Sequence, residues 1–186
     1  MNTIIRKAKK DDAEQMIALR NLSARKGFAG FLSEDALVEE ENREEERIAQ
    51  IKKNIDDNSI ISFVAEVDEK FVGFIDGKLL NPWGYFNKEG FSDLGQLYIH
   101  PEWQRQGLGR QLFDVFVSSL LKHGSEKMVI RVLERNTAAR SLYEKLGGKL
   151  SDITQTNNYA GKLTNMVFYT FDLPELAKTK MRKFLK

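Results

Sequence analysis

The sequence predicts one α/β domain, a mixed sheet with helices on both faces. Three observations predict it. The chain has 186 residues, 41% hydrophobic and 30% charged, which suits a single buried core. β-rich runs form hairpins early and late, and strands alternate with amphipathic helical runs between them. No repeat, low-complexity segment or linker divides the chain. The expected order is β-α-α-β-β-β-α-β-α-β-β, with a domain over residues 1–173 and a basic helical tail over 174–186.

Thr3 to Arg6 is the first strand. Asp11 or Asp12 can cap a helix carrying Ala13, Met16 and Ile17, which Gly27 and Gly30 interrupt. Ser33, Glu34 and Asp35 can open a second helix. Its charged run, Glu39 to Arg47, reads as a solvated face, with an acidic surface for a cationic substrate as the alternative, and Ile48, Ile51 and Ile55 as its buried side. Ile60 to Val67 and Phe71 to Leu80 are strands joined by the hairpin signature Asp68-Glu69-Lys70. A loop from Asn81 to Gly90 holds Trp83, Tyr85 and Phe86. Leu94 to Ile99 is the fourth strand. In the helix from Gly107 to His123, Leu108, Leu112, Phe116 and Leu120 recur every four residues, and Gly124 ends it. Met128 to Leu133 is a strand, and Asn136 to Leu146 a helix closed by Gly147-Gly148. Lys149 to Thr156 and Leu163 to Phe171 are the last two strands.

Composition removes several function classes. The chain has no cysteine, which excludes disulfides, thiolate metal sites and a cysteine nucleophile. His100 and His123 alone cannot build a histidine-rich metal site, so no metal is expected. His100, before Pro101, reads as structural or solvent-facing, and His123 as a favourable partner of a helix C-terminus. A net charge of +2 is too small for a dedicated nucleic-acid surface. No apolar run nears the roughly 18 residues of a membrane span, and the N-terminus lacks the apolar core of a secretory signal. The expectation is a cytoplasmic monomer or homodimer with neither nucleic acid nor membrane as partner.

The chemistry concentrates after the fourth strand. Leu97-Tyr98-Ile99-His100-Pro101-Glu102-Trp103 leads into Gln104-Arg105-Gln106-Gly107-Leu108-Gly109-Arg110, which opens a helix. The first amides of a helix lack internal partners, and the dipole places positive charge there. Gly107 and Gly109 let an anion approach the backbone, and Arg105 and Arg110 add charge. No Gly-Lys-Ser/Thr follows, so this is no P-loop. Leu112 occupies the third glycine position of a dinucleotide fingerprint.

The stretch LYIHPEWQRQGLGRQLF resembles the acetyl-CoA-binding motif of the GNAT superfamily of N-acetyltransferases. Asn136-Thr137-Ala138-Ala139-Arg140-Ser141-Leu142-Tyr143-Glu144-Lys145-Leu146-Gly147 resembles the superfamily's second motif at the right distance, and the order of elements agrees over about residues 3 to 171. Gly148 departs from the pattern, since many members have an aromatic residue there. The resemblance implies a mostly antiparallel sheet whose fourth strand splays from the fifth, with acetyl-CoA as co-substrate and an amine as acceptor. Leu97, Tyr98 and Ile99 would offer backbone groups to pantetheine and thioester, one amide acting as oxyanion donor. The amides of Arg105, Gln106, Gly107, Leu108, Gly109 and Arg110 would hold the diphosphate. Asn136 matches a pantetheine contact and is equally a helix N-cap. Tyr143 matches the residue that protonates the departing thiolate, though its spacing also suits a core aromatic.

The acceptor must lose a proton, since an alkyl ammonium has a pKa of roughly 10.4. Asp93 aligns with the glutamate base of histone-type members, with an ordinary strand-start aspartate as the alternative, and Glu66 is another candidate. Arg131 stands where ribosomal-protein N-terminal acetyltransferases carry a glutamate, which counts against such a substrate. The acceptor site is expected where the Phe28 to Leu37 region, the Trp83 to Phe86 loop and the Gln155 to Lys162 loop meet, whose aromatics could line an amine pocket by cation–π contact or as easily cover the sheet or pair two subunits. The expected activity is acetyl transfer to a primary amine of a small molecule or an exposed lysine. The alternative is an inactive acyl-CoA-binding sensor on the same fold.

Overall fold

The computed structural model describes residues 2–27, 38, 42–80, 90–159 and 162–184. Strand β1 (Thr3–Lys7) leads through a 3-10 turn (Lys10–Asp12) into α1 (Ala13–Gly27). Then come α2 (Glu44–Asp56), β2 (Ile60–Val67), β3 (Lys70–Lys78), β4 (Phe91–Leu94) and β5 (Gln96–Ile99). A second 3-10 turn (Pro101–Trp103) precedes α3 (Leu108–Lys122), β6 (Lys127–Leu133) and α4 (Thr137–Lys145). The chain finishes with β7 (Lys149–Tyr159), β8 (Lys162–Asp172) and α5 (Leu173–Phe184). The expected opening of the second helix at Ser33 to Asp35 lies outside the described residues.

The strands form two four-stranded sheets, ordered β1-β2-β3-β5 and β4-β6-β8-β7. β4 pairs with β6 in parallel, and the other described ladders are antiparallel. This is the predicted α/β class, a mixed and mostly antiparallel sheet with helices on both faces. Asp68 and Glu69 both take left-handed φ, as a two-residue hairpin loop between β2 and β3 requires.

Burial explains the layering. The four-residue repeat of α3 puts Leu108, Leu112, Phe116 and Leu120, with Phe113 and Val117, on one buried stripe. That stripe packs in a cluster with Ile61, Phe63, Ile75, Ile130, Tyr143, Tyr169 and Leu173. On the opposite face, Met16, Ile17 and Leu19 of α1 and Ile51 of α2 close over Val64 and Phe74. Asp12 does more than cap. Its carboxylate takes the Lys9 amide at 2.6 Å and both terminal nitrogens of Arg6 at 2.8 Å. Burial alone would raise its pKa, but Arg6 and the Lys9 amide hold it below the usual range. The tail is joined to the domain: Leu173 is fully buried, its amide reaches Glu126 O at 2.9 Å, and Leu176 packs against the core.

Two differences from the sequence reading matter. The expected Gln155 to Lys162 loop is largely strand, because the β7–β8 ladder runs out to Tyr159↔Lys162. The expected fourth strand, Leu94 to Ile99, is broken at Gly95 into two strands of different sheets. Two sets of contacts cause that break. On one side, Ser92 Oγ meets Ser125 Oγ at 2.7 Å in the interior, holding β4 to the start of β6. On the other, Gly95 donates to Asp76 O at 2.9 Å, turning β5 onto β3. β3 and β4 nearly touch there: a Cβ on Gly77 would lie 2.1 Å from Asp93 O and 2.7 Å from Phe116 Cζ. Backbone cannot yield as a side chain can. Gly77→Ala is therefore expected to lower the urea midpoint by the equivalent of about 2–3 kcal/mol. A midpoint equal to the parent's would show that the strands can part freely.

Candidate active site

The break at Gly95 opens the sheet. β4 runs with residues 127–130 of β6, while β5 pairs only with β3. Residues 131–133 of β6 pair with β8 alone. A wedge therefore opens between β5 and the far half of β6. The ladder phase says which groups face it. His100 donates to Val72 O at 2.8 Å, and alternate residues of an antiparallel pair bond to the partner while those between face away. Gln96 and Tyr98 therefore direct their backbone groups to β3, and Leu97 and Ile99 direct theirs into the wedge. The side chain of Gln104 takes Ile99 O at 3.0 Å, which leaves the Ile99 amide and both backbone groups of Leu97 for a ligand.

The helix start forms the second part. Gly107 caps α3 with φ 85° and ψ −5°, and Arg105 before it has φ 63°. The first helical bond runs from Gln111 N to Gly107 O. The amides of residues 105–110 have no acceptor among the described residues. Gly109 has no packing reason to lack a side chain, because its Cβ would make an ordinary contact of 3.7 Å with Ile99. A glycine inside a helix costs roughly 0.5–1 kcal/mol relative to alanine. Free amides and bare backbone at a helix N-terminus fit an anion such as a diphosphate.

Two side chains predicted for catalysis and binding belong to α4 and its cap. Asn136 caps that helix, its Oδ1 accepting from Ala139 N at 3.1 Å, so its Nδ2 stays available. Tyr143 is 7% exposed, and its ring lies 6.1 Å from that of Tyr169. Its hydroxyl has no hydrogen-bond partner among the described residues. Burial, then the neighbouring phenol of Tyr98, pushes its pKa upward, so Tyr143 keeps its proton. Tyr169 anchors the helix: its hydroxyl donates to Glu144 at 2.6 Å and accepts from Arg140 at 3.1 Å.

On the α1–α2 side of the break lies a cavity of about 1300 Å³. Its walls include Arg20, Glu46, Arg47 and Gln50, and its floor Asp76, Asp93, Gln96 and Tyr98. Arg131 lines it from β6. Asp93 is 3% exposed, and its Oδ1 accepts the Lys78 amide at 2.6 Å. Asp76, which the sequence reading missed, is pushed up to about 7 by burial and by the Asp93 carboxylate. Glu66 is not part of this floor: it lies toward the other end of β2 and accepts from Arg6 Nε at 3.1 Å. Its candidacy as base is corrected on that ground. His100 and His123 fit their expected roles: His100 Nδ1 faces the Glu102 amide at 3.4 Å, and His123 Nδ1 meets Ser119 O at 2.8 Å beyond α3. The aromatic regions expected to line the acceptor site, Phe28 to Leu37 and Trp83 to Phe86, lie outside the described residues.

Comparison with known proteins agrees with this fold. Spermidine N(1)-acetyltransferase of Thermoplasma acidophilum is 26% identical over 155 residues, 82% of this chain and 91% of that protein. The [ribosomal protein bS18]-alanine N-acetyltransferase of Escherichia coli K12 is 38% identical over 66 residues, 36% of this chain and 43% of that protein. Among solved structures, PaiA N-acetyltransferase from Thermoplasma acidophilum, in complex with coenzyme A, shares the fold. Its TM-score is 0.73 at 24% identity, over 92% of this chain and 99% of that one. An N-acetyltransferase from Staphylococcus aureus Mu50 aligns with a TM-score of 0.72 at 23% identity, over 93% and 99%. The acetyltransferase (GNAT) family matches residues 31–148, well over half of the sequence and including both motifs, and the chain belongs to that family.

Proposed function

We propose that the protein transfers an acetyl group from acetyl-CoA to a primary amine, carried by a small molecule or an exposed lysine. The observation that carries this reading is the wedge at Gly95, with unpartnered amides on one side and an acid-floored cavity on the other. Bound acetyl-CoA supplies the acyl thioester and a thiolate leaving group. The amides of residues 105–110 hold the diphosphate, with Arg105 and Arg110 beside them. Leu97 and Ile99 hold the pantetheine arm through backbone groups, and Asn136 Nδ2 adds a donor. The Leu97 amide donates to the thioester carbonyl, where negative charge develops. Tyr143 donates a proton to the leaving sulfur. The acceptor, an ammonium in solution, loses its proton to the carboxylates of the cavity floor, of which Asp93 is one.

The 26% identity to a spermidine acetyltransferase over most of both chains supports an aliphatic amine. Arg131 lines the cavity at the position where, by the resemblance, the ribosomal-protein type carries a glutamate, and that replacement counts against a ribosomal-protein N-terminus. The test is release of free thiol from acetyl-CoA with polyamines, aminoglycosides, lysine peptides and peptides beginning with alanine. Turnover of primary alkyl amines is expected, with little on the alanine peptides. Acetyl-CoA binding without thiol release from any amine would leave the acyl-CoA-binding sensor instead.

A further inference from the structure

The cavity floor holds a buried acceptor that no donor reaches. Asp76 Oδ2 accepts from Gln96 Nε2 at 3.0 Å. That bond fixes the Gln96 amide, because its nitrogen must face the carboxylate. Gln96 Oε1 is then buried with no hydrogen-bond partner. An orphaned buried acceptor costs about 1–3 kcal/mol, so a donor belongs there. Asp76 Oδ1 points at Gly95, where a Cβ would lie 3.1 Å away. Gly95 is exposed and Asp76 lines the cavity, so the missing side chain leaves the carboxylate reachable. Asp93 adds a further buried carboxylate. A group with several N–H donors and positive charge satisfies both Asp76 and Gln96 Oε1, with the Asp93 charge close by.

We propose that the acceptor's ammonium is seated between Asp76 and Gln96 Oε1, and that Asp76, rather than Asp93, removes its proton. This rests on the acetyltransferase reading above. In the step, the Asp76 carboxylate takes one proton from R–NH3⁺, giving the carboxylic acid and neutral R–NH2. The freed nitrogen lone pair forms the C–N bond as the C–S bond breaks, and the sulfur takes the proton of Tyr143. The second nitrogen proton returns to Tyr143 through solvent. Asp76 gives its proton to solvent, so one proton is released per turnover. Asp93 is the positioning partner: its charge raises the basicity of Asp76, while the Lys78 amide occupies its own Oδ1. The charged groups that share the cavity with Asp76 include Asp93, Lys78, Arg20 from α1, Glu46 and Arg47 from α2 and Arg131 from β6, and Arg20 acts against Asp93.

The test compares Asp76→Asn and Asp93→Asn with the parent in pH–rate profiles on a primary-amine acceptor. Asp76→Asn should lower kcat/KM at pH 7 by roughly a hundredfold and abolish the acidic limb. Its rate should recover as pH approaches the amine's own pKa, and acetyl-CoA should still raise the melting point. Asp93→Asn should keep the limb but move it to lower pH, because a neighbouring negative charge is gone. The reverse pattern, with the limb lost in Asp93→Asn and merely moved in Asp76→Asn, overturns the assignment, as does an unchanged profile in Asp76→Asn. A parent inactive on every amine overturns the acetyltransferase reading and this inference with it. If Asp76→Asn does not fold, the carboxyl 13C shift of Asp76 in the parent decides. Saturating amine should lower its midpoint, and a midpoint indifferent to amine overturns the proposal.

Discussion

Gly107→Glu is expected to abolish the rise in melting temperature that acetyl-CoA gives the parent. A ligand that binds only the folded state at a hundredfold excess over Kd stabilises it by about 2.7 kcal/mol. For a domain of this size that is a rise of roughly 5–10 °C. Two effects remove it in the mutant. Position 107 has φ 85°, where a side chain is strained by about 1–2 kcal/mol, so the cap distorts and the mutant starts from a lower midpoint. The added carboxylate also lies among the amides of residues 105–110, which have no other partner, and repels an incoming diphosphate. Gly107→Asn separates the two, since asparagine tolerates left-handed φ and brings no charge. It should keep a reduced rise. Should Gly107→Glu retain the parent's full rise, the anion cradle is elsewhere.

That cradle was legible in the sequence because it depends on neighbours in the chain: an apolar strand, a turn and a helix start. The stripe of α3 was legible for a similar reason, since burial imposes a four-residue period over fifteen residues. The break at Gly95 was not. Leu94 to Ile99 reads as one apolar strand, and what divides it are contacts distant in sequence, Ser92 with Ser125 and Gly95 with Asp76. Asp76 was missed for the same reason: in β3 it looks like an ordinary polar position, and only the Gln96 pairing and the gap over Gly95 reveal it. Glu66 was misread because its partner, Arg6, lies sixty residues away. The outer half of the β7–β8 hairpin, with Asn157, Asn158 and Asn165, carries too little apolar alternation to announce a strand.

Tyr143→Phe is expected to separate stability from activity. The phenol ring is 7% exposed and packs 6.1 Å from the ring of Tyr169, and phenylalanine keeps that packing. The hydroxyl makes no hydrogen bond among the described residues. Removing the hydroxyl therefore breaks no hydrogen bond within the described residues. The mutant should melt close to the parent's temperature, and acetyl-CoA should raise its midpoint by the same amount. Turnover should nevertheless fall roughly 10²–10⁴-fold, the range for one general acid. The deficit should also be flat with pH. Burial and the Tyr98 phenol raise the Tyr143 pKa from an already alkaline value, so the parent's tyrosine is protonated throughout the working range. No pH then restores what phenylalanine lacks, whereas the rate lost in Asp76→Asn returns as the amine deprotonates by itself. A mutant that is as stable as the parent, binds acetyl-CoA unchanged and is slow at every pH is what a proton donor at the sulfur predicts. Equal turnover with equal or higher stability would make Tyr143 a packing residue and give the leaving thiolate's proton to water.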